Sequence, residues 1–182
     1  MKDTIFIAGI HGVGKTFYTT LLTEKSKSFK RISASSLIKE DESITDENKK
    51  VKDIERNQRV MIKNFLKIRE VSDLIFLFDG HFVLLNKDGN ICDIGVEIFK
   101  PLSFNEIILF IDDVKDIYSR LKLRDSNNDL TVSQLSKMQD QEVLVAKNIS
   151  KELDIPLHII NFKNQKKEDI LIQLDEILTK YL

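Results

Sequence analysis

Residues 9 to 16 read Gly9-Ile10-His11-Gly12-Val13-Gly14-Lys15-Thr16 and hold three of the chain's six glycines. They join an apolar, β-branched run, Thr4 to Ala8, to a stretch with helical spacing of Phe17, Leu21 and Leu22. The first run predicts a buried strand and the second an amphipathic helix. The eight residues fit G-x-x-x-x-G-K-[ST] at every fixed position. With glycine near 7% of usage, these four positions coincide in well under roughly 1% of chains this long. Glycine lets successive backbone N–H groups turn toward one centre with no Cβ in the way. The helix that follows adds its free N–H groups and the positive end of its dipole. The loop therefore predicts an oxyanion site of phosphate type, with Gly9, His11, Gly12, Val13, Gly14, Lys15, Thr16 and Phe17 as the contact run. Lys15 supplies a point charge for terminal phosphates, and Thr16 a hydroxyl for Mg2+. The competing account is a glycine turn before a helix with a solvated lysine. His11 has no motif role and reads first as a loop spacer.

The rest of the chain alternates. Strands are predicted at Thr4–Ala8, Phe29–Ser33, Leu74–Asp79, Glu106–Ile111 and Leu157–Asn161. Helices are predicted at Thr16–Lys25, Ser36–Glu40, Glu47–Val71, Asp113–Arg124, Leu130–Leu153 and Glu168–Tyr181. Such alternation predicts an α/β fold with a parallel sheet covered on both faces. "LIFLF" and "IILFI" are apolar on both parities, as strands buried on two sides are. Two places break the pattern. "HFVLLNKDGNICDIG" reads as a hairpin or a plain surface loop. "KEDESITDENKK", residues 39 to 50, reads as a mobile charged surface segment.

At 182 residues the chain suits one domain over 1–182, and the net charge of −1 supplies no global field toward nucleic acid or a membrane. Its one cysteine, Cys92, forms no internal disulfide and suits a reducing compartment. No signal peptide is seen ahead of the first strand, and no apolar run nears the roughly 18 residues of a span. A cytoplasmic enzyme is the expectation.

Asp79 ends the third predicted strand, and ligands of open parallel sheets bind at the carboxyl ends of strands. A carboxylate there suits Mg2+ opposite Thr16, or else forms an Asp-Gly turn. His81, two residues on, polarises a water or phosphate, or is a structural histidine. Arg120 and Arg124 are four apart and share a helix face. Two guanidiniums suit a phosphoryl group in transfer, although solvated helix arginines are common. Asn128 and Asp129 read as caps of the next helix, so residues 119–130 are a candidate short lid. Residues 33–70 are the candidate substrate region. There Gln58 interrupts the stripe Val51, Ile54, Met61, Ile62, Phe65, Ile68, and either reads a ligand edge or satisfies a backbone group. Arg56 and Arg59 flank it as candidate acceptor-phosphate ligands, or are solvated. Ser35 and Ser36 cap a helix or touch a ligand.

With its phosphate loop, the Asp-x-His of Asp79 and His81, and Arg120 and Arg124 before a Gln-bearing helix, the chain resembles small adenylate-kinase-like P-loop nucleotide kinases. The nearest patterns are archaeal-type adenylate kinases and their short-lid relatives with ATPase activity. The resemblance implies a five-stranded parallel sheet in order 2-3-1-4-5, ATP and Mg2+ as cofactors, and phosphoryl transfer to a nucleoside monophosphate. It implies catalytic roles for Lys15, Asp79, Arg120 and Arg124, and a metal site at Thr16 and Asp79. The alternative of the same fold is a regulatory or assembly ATPase with a protein partner. No N-K-x-D segment follows the fourth strand, which disfavours a GTPase.

Overall fold

The computed structural model describes residues 3–39, 54–86, 88–126 and 128–182. The elements run β1 (Thr4–Ala8), α1 (Lys15–Lys25), β2 (Phe29–Ser33), α2 (Ala34–Lys39), α3 (Ile54–Glu70), β3 (Ile75–Asp79), β4 (Val83–Leu85), β5 (Ile91–Asp93) and α4 (Val96–Phe99). After a short 3₁₀ turn come β6 (Glu106–Ile111), α5 (Val114–Arg124), α6 (Val132–Leu153), β7 (Leu157–Asn161) and α7 (Lys167–Leu178).

The main sheet is parallel in the order β2-β3-β1-β6-β7. Counted along the chain, its five strands stand 2-3-1-4-5, as the resemblance implies. The connections place helices on both faces, the architecture of a P-loop NTPase. β1 lies in the centre, so the phosphate loop opens at the middle of the sheet's carboxyl edge. The hairpin expected around "NKDGN" forms, with Val83 opposite Asp93 and Leu85 opposite Ile91. Asn86 Oδ1 accepts the amides of Asp88 and Asn90 and closes the turn.

Each strand of the pair β1 and β6 feeds two cores because both parities are apolar. Ile5, Ile7, Ile108 and Phe110 pack on one face with Tyr18, Leu121 and Leu174 from α1, α5 and α7. Phe6, Ala8, Ile107 and Leu109 pack on the other with Leu37, Phe65 and Phe99 from α2, α3 and α4. Helix α6 serves both: Leu135 and Met138 join the first core, and Val145, Ala146 and Ile149 the second.

Two local expectations need correction. The cap of α6 is Thr131, not Asn128 or Asp129. Thr131 Oγ1 accepts from Gln134 N, and Gln134 answers the Thr131 amide, a reciprocal capping box. Asn128 instead bends the chain ahead of it by accepting from Leu130 N. At α2 the capping side chain is Ser33, one turn earlier than Ser36: its hydroxyl accepts the Ser36 amide, which leaves Ser35 and Ser36 inside the helix. The charged segment at 39–50, the predicted helix start at Glu47, Val51 and the Ile54 side chain fall outside the described residues, apart from Lys39 at the end of α2. No helix among the described residues is long and apolar enough to cross a membrane.

Candidate active site

The phosphate loop turns because three of its residues have positive φ: Gly9 at 137°, Gly12 at 80° and Gly14 at 120°. Gly9 also has no room for a side chain, since a Cβ would lie 2.6 Å from the Phe110 carbonyl oxygen. Val13 faces inward and is fully buried, so the contact run serves the site partly by plugging the core beneath it. Lys15 heads α1 with its ammonium curled over the loop, donating to the Gly9 carbonyl at 2.6 Å and lying 3.9 Å from Asp79. Burial pushes its pKa down to about 8, against the pull of Asp79 and Glu142.

Asp79 ends β3 beside β1, in register with Ile7. Its Oδ2 lies 3.5 Å from Thr16 Oγ1. Arg31 on β2 donates to both, at 2.9 Å to Asp79 and 3.2 Å to Thr16. Two hard oxygens that already attract a cation of the chain suit Mg2+, which takes one or two protein oxygens and keeps several waters. Thr16 and Asp79 therefore fit that ion. Among the described residues no cluster of three or more His, Cys, Asp or Glu forms a richer metal site.

His81 reaches the loop, but by a turn and not by continuing β3, which ends at Asp79. Its ring lies 4.2 Å from that of His11, centroid to centroid. Enclosure and the charge of Lys15 lower both pKa values, His11 to about 4, so both imidazoles are neutral near pH 7. A neutral pair suits hydrogen bonding to a ligand more than charge compensation.

Arg120 and Arg124 lie four apart on α5, and both line the same cavity as Lys15. Arg120 is held by Asp112 at 2.5 Å. Asp112 is in turn fixed through its backbone by Gln139 of α6, whose amide both accepts and donates there.

These groups line one cavity of about 710 Å³ that runs from the phosphate loop into a chamber under α2, α3 and the hairpin. The chamber walls are apolar and partly aromatic, with Met61, Phe78, Leu84, Ile94 and Phe99. Phe17, Ser35 and Gln58 also line the cavity. Gln58 is 7% exposed. Arg56 and Arg59 point elsewhere: both are exposed and neither lines the cavity.

Two residues of the site escape a reading of motifs. Arg31 sits on the parity of Phe29 and Ser33 in an edge strand, where a charge two residues from the carboxyl end reaches the site. Glu142 is fully buried and accepts three backbone amides: Gly9 at 3.2 Å, Phe82 at 2.9 Å and Val83 at 2.9 Å. Its signal was present, because it falls on the helical stripe Leu135, Met138, Val145, Ile149.

A family profile described as an AAA domain matches residues 8–139, from the end of β1 into α6, and the chain belongs to that family. It is a P-loop protein of nucleotide kinase-like type. No curated protein matches the chain.

Proposed function

We propose that the chain is a phosphotransferase that moves the γ-phosphoryl group of ATP to a nucleoside monophosphate or a similar small acceptor, with Mg2+, in the cytoplasm. The observation that carries this reading is the continuity of the phosphate loop with the apolar chamber that Gln58 helps to line. A chamber of that lining excludes water and seats a flat, largely apolar body, with one amide to read its polar edge. Such a shape favours a small-molecule acceptor over the water of a partner-driven ATPase.

The roles follow from position. Amides of residues 12 to 16 and the start of α1 hold the β- and γ-phosphates. Lys15 exchanges its loop carbonyls for phosphate oxygens. Thr16 and Asp79 hold Mg2+, which supplies charge neutralisation along the phosphates. Arg120 and Arg124 reach the site from α5, within the candidate lid at 119–130. There they meet the charge that redistributes over the γ-oxygens as the acceptor–phosphorus bond forms and the bridging bond to the β-phosphate breaks. An ionised acceptor needs positioning more than a base.

A product assay tests the proposal. ATP with each nucleoside monophosphate in turn should yield a matched pair of diphosphates for at least one of them. Release of inorganic phosphate alone, at a rate indifferent to every acceptor, overturns the transferase reading in favour of the ATPase.

A further inference from the structure

The proposed reaction leaves Glu142 without a role, although it is a carboxylate with no solvent contact in the middle of a helix. Burying a charge there is costly, and a leucine at 142 would continue the stripe of α6 at no such cost. The geometry says what the carboxylate does instead. One oxygen, Oε1, accepts from Gly9 N and Phe82 N; the other accepts from Val83 N. Gly9 opens the phosphate loop after β1. Phe82 and Val83 follow the Asp79-Gly80-His81 turn after β3. The side chain thus pins the two connections that carry the phosphate site and the metal pair, and neither connection can shift without breaking a hydrogen bond to it.

The helix that bears it makes a second attachment of the same kind one turn earlier. Gln139 is tied in both directions to the backbone of Asp112, the residue that follows β6 and holds Arg120. Residues 139 and 142 face the same way on a helix. Between them they grip the carboxyl ends of the three adjacent strands β3, β1 and β6, at the place where α6 passes from one core to the other. Charge adds to geometry: the carboxylate and the Lys15 ammonium each favour the other's charged form.

We propose that Glu142 is a positioning residue for nucleotide binding, holding the Gly9 turn and the His81-Phe82-Val83 connection in the mutual arrangement that phosphate and metal require. The inference rests on the phosphate-loop part of the proposed function and is independent of the acceptor. A neutral amide does not replace the carboxylate, because its NH2 group faces an N–H donor and one of the three amides loses its acceptor.

The test uses Glu142→Gln, with Ile149→Val as a control in the same buried face of the same helix. Both variants are expected to melt at lower temperature than the wild type. Affinity for the Mg2+ complex of the imido analogue of ATP is measured by calorimetry at pH 7.5, well below all melting temperatures. Glu142→Gln should bind about tenfold or more weakly, while Ile149→Val binds as the wild type does. Equal affinity in Glu142→Gln and wild type overturns the proposal and leaves Glu142 a stability residue only. If the wild type itself fails to bind, the phosphate-site reading falls first. Should Glu142→Gln not fold, amide hydrogen exchange on the wild type decides. Binding of the analogue should slow exchange at Gly9, Phe82 and Val83 together, though the last two donate to Glu142 and not to the ligand. Slowing at Gly9 without Phe82 and Val83 overturns the coupling.

Discussion

Gly12 and Gly89 have nearly the same backbone, φ 80° and 79°, and opposite surroundings. A Cβ on Gly12 would lie 2.7 Å from Leu121 Cγ and 3.3 Å from Ile117 Cγ2, both on α5; a Cβ on Gly89 meets nothing within 4 Å among the described residues. Alanine at either position therefore pays the same left-handed strain, about 1–2 kcal/mol. Only Gly12→Ala adds overpacking, typically about 1–3 kcal/mol, because the nearest atoms belong to a fully enclosed side chain and not to a flexible tip. The expected losses are about 1–2 kcal/mol for Gly89→Ala and about 2–5 kcal/mol for Gly12→Ala. For a chain of this size the latter lowers Tm by about 5–15 °C. Thermal melts by circular dichroism, with urea titrations for free energies, read both. Trimming the obstacle checks the cause. In the pair Gly12→Ala with Leu121→Ala, the loss should fall short of the sum of the singles by about 1–3 kcal/mol. Catalysis should follow the same contact, since α5 carries Arg120 and Arg124: Gly12→Ala slows turnover more than its stability loss explains. If Gly12→Ala melts no lower than Gly89→Ala, or if the double variant is additive, the loop is not braced against α5 and the reasoning fails.

Lys15→Ala should cut turnover at least about a hundredfold, a few kcal/mol of transition-state stabilisation; near wild-type turnover in a coupled assay refutes the loop assignment. Arg124→Lys should lower kcat roughly ten- to a thousandfold with little change in affinity for the ATP analogue by calorimetry, because a lysine lacks the planar two-pronged contact; proportional losses in both would make the arginine a binding residue only. Asp79→Asn should fold and raise the Mg2+ concentration needed for half-maximal rate, and an unchanged Mg2+ titration refutes the metal role. Burial raises the Glu142 carboxyl from 4.5 to about 7 in the folded chain, against its hydrogen bonds and Lys15. The unfolded chain then releases that proton first, so this group costs stability as pH rises from 4.5 to 7, by on the order of 3 kcal/mol in full. Glu142→Gln lacks this titration. Its stability deficit against the wild type should therefore shrink across that window, and a deficit constant with pH in denaturant titrations refutes the assignment.

The central strands β1, β3 and β6 are legible because both of their faces are buried. Continuous apolar runs such as residues 74–78 and 107–111 suit strands covered on both faces, and the glycine loop marks which edge of the sheet carries the chemistry. Helix ends were less legible. Asn128 and Asp129 have the residue types of a cap, but Thr131 with Gln134 completes a reciprocal pair that a single-residue preference does not weigh. Arg56 and Arg59 flank Gln58 in sequence. On a helix, neighbours at one and two positions point to other faces, so only Gln58 reaches the cavity. Arg31 and Glu142 carry no motif. Arg31 is recognisable only once strand pairing says which parity is inward, whereas Glu142 interrupts a helical apolar stripe; each stands out as a charge where an apolar residue belongs.

The hairpin holds the chain's single cysteine. Cys92 pairs directly with Leu84, a wall of the chamber, and residues opposite each other in an antiparallel pair emerge on the same face. Its thiol is partly accessible. A maleimide fluorophore on the unaltered protein therefore attaches at one place only, on the hairpin strand paired with Leu84. Such a label turns entry of a chamber ligand into an optical signal, and compounds can be screened against the protein before any product has been identified.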